Sequence, residues 1–178
     1  MARLDEAKDL GVSSRIALAG HPLHAMLVTF PIALIVATLG ADIFWWLLAD
    51  PFFARVGLWT SGWGFWMGLL AALAGTVELL AGPGIRRNPA SWSHAVAAMS
   101  LLAVIGANWG WRLLGPEAAI LPWGLLLSAG GLVLVGIAGW QGGRLVFEHG
   151  VGIIVEGESE EEAEPDPDLP EVARTPVG

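Results

Sequence analysis

The stretch HAMLVTFPIALIVATLGADIFWWLLA, His24–Ala49, decides the fold. It carries one carboxylate, Asp42, and no lysine or arginine. A helix of about 20 apolar residues crosses a bilayer, so this run is long enough to span one. Three more apolar runs follow, over residues 56–81, 92–114 and 118–140. Pro51, "AGPGIRRNP" and "GPE" separate them with turn chemistry. Such short connections make consecutive spans antiparallel neighbours. The expected fold is therefore an all-α membrane protein, an antiparallel bundle of four transmembrane helices over 21–140.

Composition agrees. Hydrophobic residues make up 54% of the chain and charged residues only 15%, against about 25% charged in soluble domains. The net charge of -8 is local: from Glu156 onward there are nine carboxylates against one arginine, and the remainder is balanced. Nothing is basic enough for a nucleic-acid footprint, so the first partner is the lipid bilayer. No cysteine is present, which excludes disulfides, thiolate metal sites, iron–sulfur clusters and c-type haem. Histidine-ligated metal and b-type haem stay open. The charged first fifteen residues show no cleavable signal.

Lysine and arginine sort to one side. Arg3, Lys8, Arg15, Arg86, Arg87, Arg144 and Arg174 flank one end of the bundle, while Arg55 and Arg112 flank the other. The positive-inside rule then places both termini in the cytoplasm. Residues 1–20 form a cytoplasmic N-terminal segment and 157–178 an acidic tail, disordered unless a basic partner surface holds it. Between them lies a cytoplasmic segment over 141–156, and the stretch "GGRLVFEHGVGIIVEG" that starts at Gly142 alternates and is rich in valine and isoleucine, which reads as a short strand or hairpin. Most tryptophans fall in the outer half and read as an aromatic belt. Small residues at four-residue spacing, Ala33, Ala37 and Ala41, then Gly64, Gly68 and Ala72, are expected to mark packing faces.

Ionisable groups within spans are costly and should face the interior with partners. His24, Ile35, Thr38 and Asp42 share one face of the first span. His94, Ile105, Asn108 and Arg112 share one face of the third. The polar ends of both spans are equally spaced, roughly 27 Å apart at about 1.5 Å per residue. Asp42 and Arg112 thus share the outer level, where they read as a structural ion pair assisted by Asn108. His24 and His94 share the cytoplasmic level, with Glu78 on the second span, His149 after the fourth and His21 before the first.

The segments "AGHPLHAMLVTFPIAL" and "GWQGGRLVFEHGVGI", with Glu78, the arginine-bearing loop and His94 between them, resemble the DUF2231 family of bacterial membrane proteins of unknown function. The resemblance covers about residues 15–154. It departs at Ala25, where the family often has proline, at Phe147, where tyrosine is frequent, and at Glu78, where aspartate is common. None of these removes a histidine. Membership implies a multi-pass protein of the bacterial inner membrane. Relatives fused to Rieske-type or cytochrome c domains imply work beside electron carriers, an association that cannot assign chemistry.

Three functions are compatible with these residues. The working expectation is a small subunit of a membrane redox or energy-converting complex, respiratory or photosynthetic, holding b-type haem. His24 and His94 would be the axial pair, His149 the reserve ligand, and Arg86 or Arg87 the partners of the propionates. A second reading is a single divalent metal on His21, His24, His94, His149 and Glu78. The third is a cofactor-free accessory subunit, whose histidines satisfy buried carbonyls near Pro22 and Pro31. About 20 Å of alanine, leucine and glycine in mid-bundle leaves no polar path for a channel. No nucleophile–base pair or phosphate loop points to an enzyme.

Overall fold

The computed structural model describes residues 17–18 and 21–151. Four helices there are long and apolar enough to cross a membrane: Leu23–Leu48, Pro51–Ala81, Pro89–Arg112 and Ile120–Phe147. The acidic tail, most of the N-terminal segment and the end of the 141–156 segment lie outside the described residues.

The first span is α1 (Leu23–Leu27) followed by α2 (Thr29–Leu48). Pro31 has no N–H to return to the preceding turn, and the helix is interrupted just before it. Ahead of α1, Ala17–Leu18 (β1) pairs antiparallel with His21–Pro22 (β2). Ala49 closes α2 in the left-handed conformation, φ 52°, its N–H bonded to Trp45 O.

The second span, α3 (Pro51–Ala81), starts earlier than its apolar run. The cause is Asp50, whose carboxylate accepts the Phe52 N–H at 2.8 Å and makes Pro51 the first helical residue. The third span, α5 (Pro89–Arg112), uses the same device: Asn88 accepts from Ala90 N at 3.0 Å ahead of Pro89. Between them, the short α4 (Pro83–Arg87) holds the two arginines of the loop.

The fourth span opens with a kinked turn over Ile120–Gly124, where Leu121 is extended because Pro122 follows it. It continues as α6 (Leu125–Phe147). This corrects the strand expected over "GGRLVF". The helical period wins because Ala138 and Leu145 are buried two turns apart and Arg144 pairs with Glu148 one turn on, at 2.8 Å. Gly150, at φ 62°, then ends the helix with its N–H on Val146 O.

Each span packs on two others: the first and the third both lie against the second and the fourth. The first and third therefore face each other across the bundle's diagonal. Small side chains fill most of the interior, including Ala41, Ala54, Ala71, Ala74, Ala97 and Ala138, around Ile35, Leu102 and Ile105. Trp46, Trp59, Trp63, Trp123 and Trp140 are exposed on the surface that lipid would cover.

The packing face of the first span is not the alanine row expected for it. Ala33 and Ala37 are exposed, while Pro31, Ile35, Thr38, Ala41 and Asp42 are buried. Thr38 and Asp42 set the orientation, because turning them outward would place polar groups in lipid.

The buried positions repeat. Ile35, Thr38 and Asp42 on the first span correspond to Ile105, Asn108 and Arg112 on the third, 70 positions later, and all six are buried. On the second and fourth spans, Gly57, Ser61, Gly64 and Ala71 correspond at one constant offset to Gly124, Ser128, Gly131 and Ala138, again all buried. The bundle is two helical hairpins related by an approximate two-fold along its axis, the parallel type of internal repeat. Glu78 breaks the correspondence, since its counterpart is Leu145.

Candidate functional site

Polar groups gather on the repeat axis at two levels. At one, Arg112 Nη2 donates to Asp42 Oδ2 at 2.7 Å, with both side chains wholly buried. Arg112 Nε donates to Asn108 Oδ1 at 2.9 Å. Ser128 joins the two charges: its hydroxyl donates to Asp42 Oδ2 at 2.6 Å and accepts from Asn108 Nδ2 and Arg112 Nη2. Three of the four spans thus meet at one ion pair.

The fourth contributor is an absence of side chain. A Cβ on Gly57 of the second span would lie 2.6 Å from Arg112 Nη1, and one on Gly124 would lie 3.4 Å from Nη2. Gly57 makes room for the guanidinium, whereas its counterpart Gly124 meets Arg112 only at van der Waals distance and makes room for the Ala119 carbonyl oxygen, 2.5 Å from such a Cβ. A buried ion pair recovers its desolvation cost only with good geometry and added hydrogen bonds, which Ser128 and Asn108 supply. Asp42 Oδ1 and Arg112 Nη1 have no hydrogen-bond partner among the described residues. This level reads as a structural joint.

At the other level, His24 and His94 face each other with ring centroids 6.2 Å apart and planes at 84°. The first span delivers His24 and the third delivers His94. His24 Nδ1 donates to Ala71 O on the second span at 2.8 Å. His94 Nδ1 donates to Ala138 O on the fourth at 3.0 Å. Because a carbonyl only accepts, each Nδ1 carries a proton, so in the neutral form of either ring the lone pair lies on Nε2.

Each imidazole rests on the glycine one turn beyond the carbonyl it binds. A Cβ on Gly75 would lie 2.9 Å from His24 Cε1 and Nδ1, and one on Gly142 would lie 3.2 Å from His94 Cε1. One seat is thus built twice: a histidine at the start of one helix and an Ala-x-x-x-Gly stretch on the next. The carbonyls belong to facing helices and not to the turns around Pro22 and Pro31, where the sequence placed them.

The remaining candidates lie around this pair. Glu78 is buried on the second span, one turn beyond Gly75. His149 is exposed past the end of the fourth span, and Arg86 and Arg87 are exposed on α4. Trp92 Nε1 donates to Arg86 O at 2.8 Å, tying that loop to the third span. The His21 side chain lies outside the described residues. Among those described, no three His, Asp or Glu side chains gather closely enough to hold a metal ion. Among the three histidines whose side chains are described, the structure unites His24 and His94 and leaves His149 apart.

Sequence reasoning missed Ser128, Gly57, Gly124, Gly75 and Gly142. The 70-residue correspondence between the two polar faces was the signal that would have found them. The second and fourth spans carry their own, slightly shorter correspondence, which pairs Gly75 with Gly142 and Ser61 with Ser128.

No curated protein and no solved structure matches the chain. The family model described as a predicted membrane protein, DUF2231, matches residues 20–154, which contain all four spans and both polar levels. The chain belongs to the DUF2231 family.

Proposed function

We propose that the chain is a small, non-catalytic integral-membrane subunit of a redox or energy-converting complex, and that His24 and His94 together hold b-type haem. The observation that carries this is the paired arrangement of the rings. The two imidazoles come from different spans with centroids 6.2 Å apart, close enough for His24 and His94 to hold one iron together. A ligating histidine commonly has its other nitrogen fixed by a carbonyl, as Ala71 O and Ala138 O fix both Nδ1 atoms here. Ala71, Gly75, Ala138 and Gly142 keep the neighbouring helix surfaces free of bulk.

Bound there, the haem would supply one-electron storage in the bundle. The protein's part is to hold both imidazoles in one tautomer and, through exposed Arg86 and Arg87, to offer cations to the propionates. Lysine and arginine counts support a reading in which this level faces the cytoplasm and both termini lie inside, the membrane being a bacterial inner membrane on the same proposal. The acidic tail would then meet a basic surface of a partner subunit.

A second reading has its own observation. The two Nδ1 bonds tie the first span to the second and the third to the fourth, so the histidines are also competent helix staples. A visible spectrum of protein purified from its native membranes, with metal analysis, separates the two. The haem reading expects a Soret band that shifts on dithionite reduction. With no band and a blank metal analysis, the staple reading stands and the ligand reading fails.

A further inference from the structure

Between the histidine level and the ion pair lies a small cavity on the repeat axis. It is lined by the equivalent pairs Ile35 and Ile105, Thr38 and Asn108, and Ser61 and Ser128, closed by Leu127 and Gly131. About 10 Å³ is available there to the centre of a water molecule. That is close to the minimum for one water and too small for anything larger.

We infer that this cavity is a binding site for a single structural water, which joins the ion-pair network to the hydroxyls of the first and second spans. The hydrogen-bond inventory gives the reason. Asn108 Nδ2 spends one proton on Ser128 Oγ and has a second to give. Ser61 Oγ gives its proton to Leu58 O, leaving its lone pairs to accept. Thr38 Oγ1 reaches Leu34 O and Thr60 Oγ1, both at 2.8 Å, and keeps acceptor capacity. Ser128 is fully engaged, donating once and accepting twice.

One spare donor and two spare acceptors therefore border the space. A water that accepts once and donates twice satisfies all three, the usual count for a buried water. A bare cation would meet the Asn108 N–H, and an apolar atom would offer no acceptor to the second Asn108 N–H. The bridged residues lie on the first, second and third spans, and Ser128 on the fourth already binds Asn108. Through one water, the network reaches all four helices.

The test is a structure of the full-length chain in lipid at a resolution that shows ordered water. One density within hydrogen-bond distance of Asn108, Ser61 and Thr38 is expected. Magic-angle-spinning NMR of the protein in vesicles is the second measurement, and it should show a water cross-peak at the Asn108 side-chain amide. In Gly131→Ala that cross-peak should disappear while the fold persists, since the new Cβ would meet only Ile35 Cγ2, at 3.6 Å. A dry cavity, a density coordinated as an ion, or an Asn108 amide without a water cross-peak in the wild-type protein would overturn the inference.

Discussion

His24 and His94, from diagonally opposed helices, meet at 6.2 Å between ring centroids, and each gives its Nδ1 proton to the helix that follows it in the chain. The relationship is symmetric in kind and unequal in fit. Gly75 lies tighter against its imidazole than Gly142 does.

That inequality predicts the sign of two substitutions. Gly→Ala within a helix gains about 1 kcal/mol in propensity, whereas overpacking costs about 1–3 kcal/mol. Gly75→Ala should lower the unfolding temperature in detergent, and Gly142→Ala should leave it nearly unchanged. Gly136→Ala, with nothing within 4 Å of the new Cβ, should raise it. Equal losses at Gly75 and Gly136 would remove the case for a seat.

The ion pair predicts non-additivity. Asp42→Asn or Arg112→Gln alone leaves a buried charge without its partner and should cost about 3–5 kcal/mol. The double variant removes both charges and should cost clearly less than the sum of the two. Denaturant titration of all four proteins measures the coupling, and strict additivity would contradict the pairing.

Ser128 links both charges, so Ser128→Ala should cost about 1–3 kcal/mol by leaving buried groups under-satisfied. Thr76→Ala is the control. Its hydroxyl is exposed and bonds only Ala72 O of its own helix, so its loss should be close to zero.

The end of the fourth span predicts a titration. The hydrogen bond from Arg144 holds Glu148 below the ordinary carboxylate value, and the charges of Arg144 and His149 act in the same direction. A depressed carboxylate favours the fold above its unfolded pKa and loses that contribution as pH falls through the folded one. Carboxyl-detected NMR should show Glu148 moving up toward its ordinary value in Arg144→Gln. No movement would place the pair apart in solution.

The bundle was legible because lipid imposes a single long-range rule: apolar runs of sufficient length must be helices. Asp42, Arg112, His24 and His94 sorted onto two levels for a related reason, since polar residues in spans must turn inward. The helical end of the fourth span was not legible. Its alternating valines and glycines match a strand period, and only the packing of Leu145 and the seating of His94 on Gly142 select the helix. His149 did not join the pair, because the fourth helix runs past that level before the chain reaches this residue, which leaves the ring exposed. Ser128 was missed because a serine among leucines carries no signal until its counterpart Ser61 is recognised.

On the proposed function, His24 and His94 together hold one haem. A reduced-minus-oxidised spectrum of the wild-type chain beside His24→Ala and His94→Ala, each purified from native membranes, tests it most directly. The predicted result is a haem signal in the wild type that is lost in both variants and survives His149→Ala. A wild-type spectrum without a Soret band, or a band that persists in both alanine variants, would contradict it.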